Sequence, residues 1–114
     1  MTQEDYLQSE CVRWFRYQYP EMKKLLFAVP NGGKRGKATA AILKAVGVVA
    51  GVSDLILLVS KKGYGSLCIE MKTPKGRQSD DQAAFEIEAI SAGNKYELCR
   101  SFDEFKETIN NYLS

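Results

Sequence analysis

The chain has 114 residues, three cysteines, no histidine, and 16 basic against 14 acidic side chains. The length fits one domain, and 45% apolar with 11% aromatic residues is enough for a packed core. The missing histidine excludes Ser-His-Asp and Cys-His nucleophile systems, His-ligated zinc and a histidine general base. The net charge of +2 averages unequal parts. Residues 1–22 hold two basic and four acidic side chains, residues 23–77 eleven and two, and residues 78–114 three and eight. The only acids in the basic middle are Asp54 and Glu70. Such a segment fits a polyanion partner or, more plainly, a solvated lysine-rich surface.

Cys11, Cys68 and Cys99 are odd in number and form no C-x-x-C motif. Cys68 and Cys99 read as reduced core residues, which favours a reducing compartment. The acidic N-terminus is unlike a signal peptide, and the longest apolar stretch, 45–53, is too short to span a bilayer. No membrane partner is expected, and the expected location is the cytoplasm, for an intracellular protein of bacterial or bacteriophage type.

In chain order, residues 3–19 read as a helix, with Tyr6, Glu10, Trp14 and Tyr17 at helical spacing and Pro20 at its end. Residues 25–29 read as a strand broken by Pro30-Asn31-Gly32-Gly33. A helix is expected over 37–46, with Ala38, Ala41, Ile42 and Ala45 on one side, stopped by Gly47. Residues 54–59 and 66–72 read as a hairpin, the first strand apolar at both parities and so expected to be covered on both faces. A helix over 78–93 has Ser79 as N-cap and Asp80 and Asp81 in its first turn. A strand over 96–99 follows, then a helix capped by Ser101 with Glu104 as capping-box partner. The order α-β-α-β-β-α-β-α predicts an α/β fold, a mixed β-sheet flanked by helices. The amphipathic first and last helices, with Trp14, Tyr17, Phe102, Phe105 and Tyr112, are expected to finish the core with most of these residues, a dimer face being the alternative.

If the hairpin turns near Lys62, Asp54 faces Glu70, and alternation puts Lys72 on the same face as Glu70. A one-residue slip would separate them. Facing carboxylates repel unless a cation lies between them, and oxygen ligands favour Mg²⁺ or Mn²⁺ over zinc. With Lys72 beside the ion, the set reads as metal-assisted phosphodiester hydrolysis, against the plain alternative of a Glu-x-Lys on a half-exposed strand. The segment Asn31-Gly32-Gly33-Lys34-Arg35-Gly36-Lys37 fails as a P-loop, because Asn31 stands where the first glycine belongs and Ala38 where Ser or Thr would hold magnesium. It reads instead as a DNA-backbone loop through Asn31, Gly32, Gly33, Lys34, Arg35 and Lys37, the alternative being an ordinary strand-to-helix turn. Lys75 and Arg77 add phosphate contacts, while Lys61 and Lys62 read as solubilising.

An aspartate opening a hairpin that ends in Glu-x-Lys resembles the PD-(D/E)xK nuclease superfamily. Pro30-Asn31-Gly32-Gly33, Arg35, Gly47, Gly51-Val52-Ser53-Asp54-Leu55, Ile69-Glu70-Met71-Lys72-Thr73-Pro74, Gly76-Arg77 and Ser79-x-x-Gln82 together resemble its virus-type replication-repair branch, VRR-NUC, over residues 10 to about 99. The resemblance implies a restriction-endonuclease-like domain over 1–114. It implies Asp54 and Glu70 as metal-binding acids, Lys72 as the catalytic lysine, Gln82 as the glutamine of the following helix, and Glu10 as an additional acid at the metal. Ser53 stands where the superfamily has proline, which removes backbone stiffness but no ligand. The implied activity is a Mg²⁺- or Mn²⁺-dependent DNA endonuclease leaving 5′-phosphate and 3′-hydroxyl ends. Relatives without extra domains imply a homodimer acting on branched DNA, such as a four-way junction. Flap, nicked or duplex DNA, or DNA binding without catalysis, are the alternatives.

Overall fold

A computed structural model describes residues 1–30 and 36–114. Helix α1 (Gln3–Gln18) opens at Thr2, whose hydroxyl accepts the Asp5 N–H at 3.1 Å while its own N–H donates to the Asp5 carboxylate at 2.9 Å. A 3-10 turn over Pro20–Met22 leads to β1 (Leu26–Ala28). Then come α2 (Lys37–Ala45), β2 (Leu55–Leu57), β3 (Leu67–Met71), α3 (Asp80–Ser91), β4 (Lys95–Cys99) and α4 (Phe102–Leu113). The expected element order is observed. The sheet runs β1-β2-β3-β4, antiparallel except for the parallel β3–β4 pair that α3 connects.

The main core lies on one sheet face, where Leu55, Leu57, Leu67, Ile69 and Met71 meet Cys11 and Phe15 of α1 and Phe105, Ile109 and Tyr112 of α4. On the other face a smaller cluster joins Cys68 and Tyr96 to Ala89 of α3, with Phe85 against it. The strand covered on both faces is therefore β3, buried at every position, and not 54–59 as expected. In β2, Ile56 is only half-buried, and Leu58 just beyond is 57% exposed. The crossover helix leans on β3 and β4, so the second face of β2 lacks that cover. Helix α2 has no buried residue, and its Ile42 is exposed.

Helix α1 turns a different stripe inward from the one its aromatic residues suggest. Cys11 and Phe15 are fully buried with Leu7 packed against the same core, whereas Tyr6 and Tyr17 are exposed. Trp14 and Phe102 pack against the core, and Phe105 and Tyr112 lie in it. At α4, Ser101 accepts the Glu104 N–H at 3.1 Å, but the Glu104 carboxylate takes the Arg100 N–H at 2.7 Å rather than closing a box on Ser101.

The hairpin register is the predicted one: Leu55 pairs with Ile69, Ile56 with Cys68, and Leu57 with Leu67. Its turn is tight, with Lys62 (φ 54°) and Gly63 (φ 86°) left-handed between the bridged residues Lys61 and Tyr64. Between bridge and ladder the β2 side has residues 58–60 and the β3 side only 65–66. Without that extra residue, pairing carried on from the turn would set Asp54 opposite Met71 and turn Glu70 away from it. Lys62 is also not merely solubilising, since its ammonium donates to the Asn111 carbonyl and to Ser114 Oγ, holding the turn against the end of α4.

Gly51 fixes the approach to β2. Its φ is +88°, and a Cβ there would lie 2.4 Å from the backbone carbonyl of Asp81 in the first turn of α3. A side chain is thus opposed both by conformation and by space. Gly51→Ala is expected to cost at least about 1–3 kcal/mol from strain alone, lowering Tm by roughly 5 °C or more for a domain of this size. Thermal unfolding followed by circular dichroism checks this, and an unchanged Tm would contradict the close approach.

Candidate active site

Asp54 ends the loop that Gly51 pins, one residue before β2. Its Oδ2 accepts the Met71 backbone N–H at 2.7 Å, so a carboxylate stands where a ladder carbonyl would otherwise be. Glu70 lies in β3, 1% exposed. Lys72 follows two residues on, on the same face, 8% exposed, with its ammonium 3.7 Å from Glu70 Oε2. Continuing the ladder by one residue brings Asp54 opposite Glu70.

Gln82 reaches the same carboxylate from α3. Its Oε1 accepts the Ser79 N–H at 2.8 Å in a capping box, and its Nε2 donates to Glu70 Oε2 at 2.9 Å. The cap fixes which end of the amide faces the site. Tyr96 of β4 covers Glu70 Oε1 with its hydroxyl at 3.4 Å. Gln78 donates to that hydroxyl at 3.3 Å and to Glu86 at 2.9 Å, leaving the tyrosine proton to point at Glu70. Among the described residues, no buried side-chain nitrogen or oxygen lacks a hydrogen-bond partner.

Burial pushes the Glu70 carboxyl up to about 8, and the charge of Asp54 and a hydrogen bond with it push the same way. Lys72 opposes the shift. Glu4 adds to it. At neutral pH the metal-free site therefore favours a proton on Glu70, placed where a cation would relieve the same repulsion. The donor set is all oxygen and suits Mg²⁺ or Mn²⁺. Among the described residues no three His, Cys, Asp or Glu side chains come together as a metal site, so the protein side of such a site is the Asp54–Glu70 pair. Burial raises the thiols of Cys11 to about 12 and Cys99 to about 11, which keeps them out of thiolate chemistry.

The structure brings Asp54, Glu70, Lys72 and Gln82 together. It leaves Glu10 exposed on α1, away from the inward stripe. The α1 acid whose charge reaches Glu70 is Glu4, half-buried and in helical phase with Leu7, Cys11 and Phe15. Lys37 is exposed at the start of α2, and Lys75 and Arg77 are exposed just past Lys72. Asn31, Gly32, Gly33, Lys34 and Arg35 lie outside the described residues. Sequence reasoning missed Glu4, Tyr96 and Gln78. The spacing of Leu7, Cys11 and Phe15 held the signal for Glu4, whereas Tyr96 and Gln78 meet Glu70 only through the β3–α3–β4 crossover.

A family model described as the VRR-NUC domain matches residues 2–103. The chain belongs to the VRR-NUC family. A solved structure titled "VRR_NUC domain protein" is similar in fold, with a TM-score of 0.86 at 22% identity, covering 99% of this chain and 89% of that one. No curated protein matches the chain. VRR-NUC is a nuclease domain, generally dependent on divalent metal, and implies DNA as substrate. No helix among the described residues is long and apolar enough to cross a membrane.

Because the folded Glu70 carboxyl is raised from 4.5 to about 8, the metal-free folded state binds more protons than the unfolded chain between those values. Its contribution to stability is complete below about 4.5 and is lost as pH rises through about 8. In chelator, Tm is expected to fall across this window, and Glu70→Gln, which cannot ionise, is expected to flatten the fall. Equal slopes for the two proteins in pH-dependent thermal unfolding would contradict the raised carboxyl.

Proposed function

We propose that this chain is a divalent-metal-dependent DNA endonuclease selective for branched DNA, resembling a Holliday-junction resolvase. The observation that carries the reading is the buried Glu70 carboxylate, set opposite Asp54 with Lys72 3.7 Å away. Asp54 and Glu70 would hold Mg²⁺ or Mn²⁺, and the bound ion would supply positive charge that polarises the scissile phosphate and makes a nearby water easier to deprotonate. Lys72 orients that water, helps its proton leave, and offsets charge developing on the phosphate. Gln82 keeps Glu70 Oε2 aimed at the site. Glu4, rather than the Glu10 that the sequence resemblance implied, is the α1 acid whose charge acts on the pair, through its field at Glu70 and not as a third ligand.

The basic segment supplies the DNA contacts, with Asn31, Gly32, Gly33, Lys34, Arg35 and Lys37 on one backbone stretch and Lys75 and Arg77 on another. A homodimer gives the two active sites that cutting both strands of a junction requires. The exposed apolar side chains of Ile42, Val46 and Val49 offer surface for a second copy. Three buried cysteines without a disulfide suit a reducing, intracellular setting.

The test is incubation of the purified protein with four-way junction, flap, nicked and linear duplex DNA in Mg²⁺, Mn²⁺ or chelator, with light scattering for the mass. Junction cleavage should require metal and should fall at least ~100-fold in Lys72→Ala and Glu70→Ala. Glu4→Gln should slow cleavage more than Glu10→Gln. Cleavage in chelator, or undiminished in Lys72→Ala, contradicts the mechanism. Preference for flap or duplex changes the substrate, and salt-sensitive binding without cleavage would make the chain a DNA-binding module.

A further inference from the structure

Arg100 follows β4 at the end of the sheet where Lys72 follows β3. Its Nη1 donates to three backbone carbonyls of one short segment: Thr73 at 2.9 Å, Pro74 at 3.3 Å and Gly76 at 2.7 Å. That segment is a β-turn closed by the Gly76 N–H on the Thr73 carbonyl at 3.1 Å, with Pro74 and Lys75 at its tip. The turn is drawn tightly against the active-site lysine. A Cβ at Gly76 would stand 3.2 Å from Thr73 Oγ1 and 3.4 Å from Lys72 Cδ. Arg100 is itself fixed, since its N–H donates to Glu104 Oε1 at 2.7 Å and the carbonyl of Cys99 before it accepts the Lys72 N–H at 3.0 Å.

Among the described residues the Arg100 guanidinium forms no ion pair and is directed at neutral carbonyls, so its role is to be sought in what those carbonyls hold. Three converging carbonyl oxygens create negative potential beside the exposed side chains of Lys75 and Arg77. A positive, planar donor both cancels that potential and fixes the turn, which a lysine with its flexible stem and compact charge does less well. We propose that Arg100 is a positioning residue for DNA binding: it clamps the 73–76 turn so that Lys75 and Arg77 present their charges to phosphate next to the scissile bond. The inference rests on the proposed role of Lys75 and Arg77 in binding phosphate.

The experiment uses the full chain with a fluorescent four-way junction. Binding is measured in chelator over a range of salt, and kcat and KM are measured in Mn²⁺. The Lys75→Ala, Arg77→Ala double variant should weaken binding about tenfold and lower the salt slope by roughly 1–2. Arg100→Ala should weaken binding about five- to tenfold, raising KM while kcat at saturating DNA falls by less than about threefold. Arg100→Lys should recover less than half of the loss. Adding Arg100→Ala to the double variant should change binding by less than about twofold, because the clamp then has nothing to present. If Arg100→Ala unfolds at the assay temperature, Arg100→Gln, which keeps a donor, carries the same comparison. A full additional loss in the combined variant would make Arg100 a phosphate contact in its own right and overturn the proposal. Wild-type binding in Arg100→Ala, with the double variant weakened, would overturn the clamp alone. An unweakened double variant would overturn the phosphate role of Lys75 and Arg77, and the clamp with it.

Discussion

Two carboxylates set opposite each other on adjacent strands, Asp54 and Glu70, are the constraint on which the site depends. Two unit charges about 4 Å apart repel by about 4 kcal/mol at an effective dielectric of about 20. Burial of Glu70 adds to the cost of ionising both. The fold meets this with donors on every side: the Met71 N–H on Asp54, and the Gln82 amide, the Tyr96 hydroxyl and the Lys72 ammonium around Glu70. Each fixes an orientation, and a proton or a cation removes the remaining repulsion. The price of holding the pair together in the metal-free protein is the raised Glu70 carboxyl.

Much of the surrounding architecture keeps that pair in place. The extra residue on the β2 side of the hairpin converts the phase set by the Lys62–Gly63 turn into the phase that brings Asp54 to Glu70. Gly51 lets the loop before β2 touch the first turn of α3, and the capping box in that turn aims Gln82 at Glu70. Strand β4 brings Tyr96 beside Glu70 and ties Lys72 through the Cys99 carbonyl. Local stop and start signals thus shape the candidate site, because the helix that caps at Ser79 also crosses from β3 to β4.

Much of this was legible in the sequence because it is written locally. The Asp54–Glu70 register was reached by centring the hairpin on Lys62, whereas the turn is Lys62–Gly63 and an unforeseen extra residue on the β2 side restores that register; the Ser79 cap followed from a serine ahead of two acids. The element order followed from periodicity and breakers. What was missed depends on contacts distant along the chain. The aromatic residues of α1 suggested a stripe through Glu10, but the inward stripe is the less conspicuous Leu7, Cys11 and Phe15, which carries Glu4 with it. The apolar run at 54–59 looked like a strand covered on both faces, yet α3 crosses over β3 and β4 instead. Nothing near Arg100 in sequence points to the carbonyls of Thr73, Pro74 and Gly76, and nothing near Lys62 points to the end of α4.

We propose that Asp54 and Glu70 form one divalent-cation site that a proton otherwise occupies in part. Calorimetric titration of the protein with Mn²⁺ near neutral pH, in buffers of different ionisation enthalpy, tests it most directly. Binding should be saturable, with a buffer-dependent enthalpy showing net proton release, and should be abolished in Asp54→Asn and in Glu70→Gln. Saturable binding that survives both substitutions, or no binding by the folded wild-type protein, would contradict it.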